Sequence, residues 1–375
     1  MKQKNVVMNV IIGIILCLLI TQLGIWLADV LEKFFIKSNL LPAGSGNPIS
    51  SIFIAIFLGI AIRNTIGLSH LFQKGVSFTT KYALRLGIIF LGLRLSLTEA
   101  LKLGAWGLPL IIVCIASGLL ITLYITKKLG QSRRLGMLIA SGTSICGITA
   151  IMAISPVLKA KENEVSYAVA NITIFGLIGM VLYPYLAHLL FAGDPVKVGL
   201  FLGTAVHDTA QVTGSALMYS QMYDMAKVID VATVTKLTRN LFIIVVIPLV
   251  AVMFFKQDKG QTEELPKWYR FIPSFVIGFL AFALLRTIGD MTVLNSGSAF
   301  GILKPDNWQT FHESISSFGS TYLLGMAMSA VGLSTDFRMF KGLGFKPFYI
   351  GLTAALSVGI VSYIFITLFG NLIVL

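Results

Sequence analysis

Apolar runs of about 20 residues, each long enough to cross the hydrocarbon of a bilayer, follow one another from end to end of the chain. They cover Val6–Leu27, Pro48–Asn64, Lys81–Leu97, Trp106–Ile125, Leu135–Leu158, Val165–Phe191, Val196–Ser220, Val228–Phe255, Phe271–Ile288, Phe311–Ser334 and Phe348–Leu375. The runs are continuous, not alternating, which predicts helices and argues against a β-barrel. The pattern predicts an all-α polytopic membrane protein of about eleven transmembrane helices with no soluble domain. The first run follows the basic stretch MKQKN, has no A-x-A site after it and is too long for a signal core, so it reads as an uncleaved span. The longest hydrophilic link of the second half, Lys256–Lys267, reads as a surface loop.

One run departs from the plain pattern. Leu135–Pro156 carries Ser141–Gly147 (SGTSICG) at its middle, with two glycines, two serines and a threonine, and Pro156 closes it. Glycine weakens a helix interior by about 1 kcal/mol relative to alanine, and hydroxyls offer the backbone other partners. Backbone freed inside hydrocarbon must be satisfied within protein or beside a watery cavity. The stretch therefore reads as two half-helices, the second beginning with the N–H groups of Gly147, Ile148 and Thr149, an end that attracts anions. A kinked helix whose small residues permit close packing is the other reading.

An internal repeat supports the break. FLGIAIRNT (Phe57–Thr65) in the second run matches FLGTAVHDT (Phe201–Thr209) in the seventh without a gap. Arg85 in the third answers Arg239 in the eighth, and Gly142-Thr143-Ser144 in the fifth answers Gly319-Ser320-Thr321 in the tenth. Each pair lies five spans apart, and an odd offset inverts the second copy, as in many secondary transporters. The expected organisation is an extra N-terminal helix (1–30), a first repeat (48–193) and a second, inverted repeat (194–375). The tenth run should then also break, near Gly319–Thr321, so that two crossed, discontinuous helices bring their half-helix ends together.

Charge adds candidate chemistry. Only 12% of the residues are charged, about half the share of a soluble protein. The net charge of +13 comes from basic residues between the runs, where the positive-inside rule places them, and nothing interleaves bases with aromatics as nucleic acid would require. Placing the N-terminus in the cytoplasm puts 17 Lys and Arg in cytoplasmic segments against 8 outside, which with an odd span count leaves the C-terminus outside. Lys236 and Arg239 lie within a run, share one helix face with Asn240, and are costly in hydrocarbon unless they meet a cavity or a partner. They can be ligands for an anion, with Arg85 and the hydroxyls of Thr143, Ser144, Ser320 and Thr321 beside them. Equally, they can neutralise half-helix C-termini or pair with Asp208. His207-Asp208 interrupts the seventh run, which can therefore be irregular too. Asp208 reads either as a proton or sodium relay or as a fixed salt-bridge partner, and His207 as a second titrating group or a satisfied core residue.

Cys17, Cys114 and Cys146 show no disulfide or metal spacing. There is no HExxH, GxSxG or Walker loop, so neither an enzyme nor an ATP-driven pump is expected from this chain. No cofactor is expected.

Four stretches carry a resemblance: Leu84–Leu97 (LRLGIIFLGLRLSL), Ser141–Ile151 (SGTSICGITAI), Gly203–Ala216 (GTAVHDTAQVTGSA) and Lys236–Asn240 (KLTRN). In combination, and over nearly the whole length, the chain resembles the YeiH-type family of bacterial inner-membrane proteins, named for sulfate export. That family is similar to the cation/proton antiporter and bile-acid transporter superfamily. The resemblance implies a core with two crossed discontinuous helices beside a separate scaffold. The expected function is a secondary transporter of a small anion, sulfate, sulfite or an organosulfur anion, in the bacterial inner membrane. Its expected site is Ser141, Gly142, Thr143, Ser144, Gly147, Gly319, Ser320, Thr321, Lys236, Arg239 and Arg85, with Asp208 and His207 coupling H+ or Na+. The partners are that anion, the coupling ion and the bilayer, with self-association as a homodimer left open. A sodium- or proton-coupled cation antiporter built on Asp208 is the alternative; a channel, or an intramembrane enzyme or sensor, is remoter.

Overall fold

The computed structural model describes residues 2–38, 49–255, 273–340 and 344–370, so the Lys256–Lys267 link falls outside it. The described residues form α1 (Lys2–Lys37), α2 (Ser51–Thr65), α3 (His70–Phe78), α4 (Leu84–Leu91), α5 (Leu97–Lys128), α6 (Arg133–Ser144), α7 (Ile148–Ile154) and α8 (Glu162–Phe191). They continue with α9 (Pro195–Ala205), α10 (Thr209–Tyr223), α11 (Lys227–Leu241), α12 (Ile243–Phe255), α13 (Ser274–Ser296), α14 (Pro305–Phe318), α15 (Leu324–Ser334) and α16 (Phe345–Phe369). A π-helical turn, Thr79–Ala83, joins α3 to α4, and a second, Gly319–Leu323, joins α14 to α15. Among the described residues the only strand-like pairing is one bridge between Ala299 and Leu303.

Among the described residues, six helices are long and apolar enough to cross a membrane: Val7–Lys37, His70–Arg94, Leu97–Lys128, Glu162–Phe191, Ser274–Ser296 and Phe345–Phe369. Lys227–Leu241 and Ile243–Phe254, bent by 41° at a short break, together have the length and apolarity of a seventh, as a broken span or a re-entrant pair. Ser51–Thr65 and Pro195–Ala205 are shorter apolar helices. The fifth and seventh runs do not form single long helices because each is divided in two, as α6 with α7 and α9 with α10. The tenth run is different. It was expected to break at Gly319–Thr321, but a π turn carries the helix on from α14 into α15. The reason is local: Ser320 Oγ donates back to Ser317 O at 3.1 Å, a bond a helix accommodates. Gly319 serves packing, because a side chain there would run into Phe90.

The chain divides into two units. The first holds Met1–Leu101, Ala216–Asp230 and Ser274–Arg338. In it α1 packs on α2, α3 and α15, and α2 packs on α15. Small residues set these approaches: Gly13 faces Gly75, and Gly59 faces Gly332, the close backbone contact by which membrane helices associate. Buried hydroxyls follow the same seam, with Thr21 and Ser329 both donating to Cys17 O, at 2.8 and 3.0 Å. Arg94 pairs with Asp230 at 2.7 Å and Arg286 with Asp290 at 2.6 Å, the latter carboxylate also accepting from Trp308 Nε1 at 2.8 Å.

Beyond α15, Asp336 takes Arg63 and Arg338, each at 3.0 Å, while Asn64 Nδ2 donates to Thr335 O at 2.9 Å. The side-chain bond from Arg338, its N–H, and the charge of Arg63 hold the Asp336 carboxyl down at about 2. A depressed carboxyl contributes stability that is complete above its ordinary value and is lost as pH falls toward the folded-state value. The melting temperature of the solubilised protein should therefore exceed that of Asp336→Asn at neutral pH. That gap should close between about pH 5 and about pH 2; a gap that persists at the acid end would take Asp336 out of the clamp.

The second unit holds Lys102–Ser215, Val231–Pro273 and Met339–Leu375. Its core gathers Leu138, Ile139, Ile151, Ile154, Ile172, Ile247 and Ala354, all buried. α6 packs on α7, α8 and α16, and α9 packs on α8 and α16. The helix starts are capped by sequence. Asp194 accepts from Val196 N and Lys197 N at 2.9 and 3.2 Å, with Pro195 in the first turn where no N–H is needed. Glu164 takes Lys161 N at 3.0 Å and the hydroxyl of Ser132, which precedes α6.

Candidate functional site

Two helix breaks lie in the second unit. In the first, α6 ends at Ser144, Ile145 leaves helical geometry, and Gly147 takes φ +72° before α7 begins at Ile148. Only glycine enters that region without strain. A side chain at Gly147 would also press on Asp208, 2.9 Å from its Oδ2. In the second break, α9 ends at Ala205, Val206 is extended, and α10 begins at Thr209. A helix end leaves carbonyls at its C-terminus and N–H groups at its N-terminus without internal partners. Here three side chains partner groups of both kinds.

The carbonyls go to α11. Lys236 and Arg239 are 1% and 0% exposed, which charged side chains tolerate only when fully partnered. Lys236 Nζ donates to Ile145 O at 3.0 Å, to Val206 O at 3.2 Å and to His207 O. An ammonium has three protons, so Lys236 is saturated. Arg239 Nε donates to Ser144 O at 2.8 Å, Nη1 to Thr204 O at 2.5 Å and Val206 O at 3.4 Å, and Nη2 to Thr143 O. Each cation thus spans the C-terminal ends of both α6 and α9. Those ends carry partial negative charge, and two cations on one helix face answer two of them.

The N–H groups go to Asp208. Its Oδ1 accepts from Ala210 N at 2.9 Å, and its carboxylate also takes the N–H groups of Gln211 and Ile148. It caps α10 and holds the first residue of α7 at the same time. Asp208 is partly exposed, and no ion pair joins it to Lys236 among the described residues. Asn240, one residue past Arg239, donates to Thr209 Oγ1 at 3.2 Å and brings α11 to the start of α10.

Several buried polar atoms in this unit have no protein partner: Ser141 Oγ, Ser144 Oγ, His207 Nδ1, Gln211 Oε1, Thr235 Oγ1 and Asn240 Oδ1. Together they make a polar interior of neutral groups beside three charged ones. His207 is 2% exposed and enters the network through its carbonyl, not its ring.

The expected residues therefore separate. Ser141, Gly142, Thr143, Ser144, Gly147, His207, Asp208, Lys236 and Arg239 are brought together, but Thr143 and Ser144 join through their carbonyls, where hydroxyl donors were expected. Gly142 O accepts the N–H of Gly147 at 3.0 Å across the break. Arg85, Gly319, Ser320 and Thr321 fall in the first unit and take no part in this network. Arg85 is partly exposed on α4, and Thr321 is exposed on its π turn. The partner of the fifth run's break is the seventh run's. Asp208-Thr209-Ala210-Gln211 has the capping spacing, an N-cap residue with Gln three positions on, that marks the helix start there. Thr204 was missed as a partner of Arg239 because its contribution is a backbone carbonyl, to which side-chain identity gives no clue.

Multiple helices able to cross a bilayer, with two more broken inside a buried polar centre, define a multi-pass helical membrane protein. The chain belongs to the family described as conserved hypothetical protein 698, whose model matches residues 12–351. The four motifs and their YeiH-type resemblance lead to the same family. A UPF0324 membrane protein of Bacillus anthracis is 32% identical over 332 residues, 86% of this chain and 88% of the relative. One from Streptococcus agalactiae is 32% identical over 317 residues, 84% of this chain and 88% of the relative. One from Fusobacterium nucleatum is 30% identical over 357 residues, 94% and 96% of the two chains.

Proposed function

We propose that the protein is a secondary transporter of a small anion, working by alternating access around the paired breaks of α6–α7 and α9–α10. The observation that carries the reading is the partnering of both breaks by Lys236, Arg239 and Asp208. Broken helices at membrane depth persist where they line a cavity, and in transporters such breaks form the substrate site. Two cations against one carboxylate leave an excess positive charge in a low-dielectric interior, which favours an anion. Sulfate, sulfite and organosulfur anions are the substrate class. The full scheme has eleven crossing segments in two inverted repeats behind an extra first helix, in the inner membrane with the N-terminus in the cytoplasm. An inside-negative potential, worth about 2.3 kcal/mol per charge at 100 mV, drives such an anion outward, which makes export the favoured direction. No step of this scheme is catalytic.

Lys236 and Arg239 set the field of the site in this reading and do not grip the ligand, since their donors already serve the helix ends. A second reading rests on Asp208: a partly exposed carboxylate at two helix N-termini can exchange a proton or sodium, as in a cation antiporter.

The test is thermal stabilisation of the purified protein by sulfate, sulfite, thiosulfate, taurine, sodium and a pH series. A ligand specific to the folded state at 100 times its Kd adds about 2.7 kcal/mol. Stabilisation by one sulfur oxyanion is the expected result. Stabilisation by sodium or pH alone would replace the anion reading with the antiporter.

A further inference from the structure

A polar cavity of about 480 Å³ lies in the first unit between α2, α3 and α15, a volume usual for small-molecule sites. Val76 and Leu333 form its apolar floor, and Arg63, Lys81, Ser77 and Ser334 line its polar side. Its electrostatics are unbalanced. Asp336 is shared by Arg63 and Arg338, while Lys81 has no carboxylate partner among the described residues. Lys81 Nζ stands 5.2 Å from the centre of the Tyr82 ring. Arg63 is tied to Asp336 through Nη2, yet its Nε is buried without a hydrogen-bond partner. A guanidinium, an ammonium with no carboxylate partner among the described residues and two hydroxyls line one concavity, a donor set suited to an acceptor. The planar guanidinium suits an oxyanion.

We propose that this cavity is a binding site for a phosphate-type oxyanion. Two sources share that chemistry: the headgroup of an anionic phospholipid and phosphate free in solution. With the N-terminus in the cytoplasm, the expected orientation, Arg63 and Lys81 fall on the cytoplasmic side, the leaflet surface where basic pockets between helices hold lipid phosphates. Ile66 and Leu71, close in sequence to the lining residues, are 83% and 54% exposed, apolar surface available to acyl chains.

The experiment uses the purified full chain in an uncharged detergent, titrated separately with short-chain phosphatidylglycerol, short-chain phosphatidylcholine and inorganic phosphate, and read by thermal stabilisation. Lys81 is an exposed residue without a salt bridge, so Lys81→Gln should fold as the parent does, with an unchanged melting point before ligand is added. Arg63→Gln, which removes the guanidinium from the lining, is the second variant. The expected result is stabilisation by phosphatidylglycerol or phosphate, with the apparent affinity falling about tenfold in Lys81→Gln. Stabilisation by phosphatidylglycerol alone identifies a lipid site; stabilisation by phosphate identifies a solute site. Absence of stabilisation by either, equal stabilisation by phosphatidylcholine, or equal affinities in the parent and both variants would overturn the proposal. Sulfur oxyanions are left out of the titration, so its outcome is independent of the transport reading.

Discussion

Arg239→Ala should lower the stability of the purified protein by on the order of 3–5 kcal/mol, read as a large drop in melting temperature in detergent. The substitution strips donors from Thr143, Ser144, Thr204 and Val206, carbonyls at the ends of two half-helices. At 0% exposure no water replaces them without opening the unit. Arg239→Lys should recover only part of the loss, because a single ammonium cannot reproduce a fork that bridges α6 and α9. Arg85→Ala is the contrast. Arg85 is partly exposed and outside the network, and its loss should change the melting temperature little, within about 0.5 kcal/mol. An Arg239→Ala protein with unchanged melting but lost ligand binding would make Arg239 a ligand group and overturn its role as the partner of the helix ends.

What the sequence disclosed follows from which physical signals are local. The membrane class was legible in run length and hydropathy, because hydrocarbon imposes its thickness on every crossing element. The break at Ser141–Gly147 was legible as one of two readings in its glycines and hydroxyls, and the positive φ of Gly147 in the structure decides for it. Lys236 and Arg239 stood out because charge in an apolar run is costly, and the sequence already left their two roles open. Which of the two they fill was not legible: their partners are carbonyls of residues some 30 to 96 positions away, and any residue supplies a carbonyl. The tenth run misled for the same reason in reverse. Gly319-Ser320-Thr321 has the composition of a break, but its glycine answers a neighbouring helix and its serine bonds back into its own turn. Composition marks where a helix can break. Only a cap or a backbone strain marks where it does, and the capping spacing at Asp208–Gln211 was the better signal.

Asp208→Asn should separate the two transport readings, because it moves them in opposite directions. Asparagine is as good an N-cap as aspartate, so α10 keeps its cap and the variant should melt within about 1 kcal/mol of the parent. Asp208→Ala, which loses the cap, should be less stable than Asp208→Asn by about 0.5–2 kcal/mol. What asparagine removes is the charge. The carboxylate now occupies the N–H groups of Ala210, Gln211 and Ile148, the kind of donors an incoming oxyanion would seek. It also repels such an anion, and in a partly buried site a like charge a few ångströms away costs up to about 4 kcal/mol. If the substrate is an anion, Asp208→Asn should raise its affinity at neutral pH by roughly tenfold or more. If Asp208 also exchanges a proton as the anion arrives, transport by the variant in proteoliposomes should no longer respond to a pH gradient. If the substrate is instead a cation carried by Asp208, the same substitution should abolish sodium-dependent stabilisation and leave sulfur oxyanions without effect. A variant whose oxyanion affinity is unchanged and whose transport still follows the pH gradient would reduce Asp208 to a structural cap. The excess positive charge of Lys236 and Arg239 would then be the sole electrostatic basis for substrate choice.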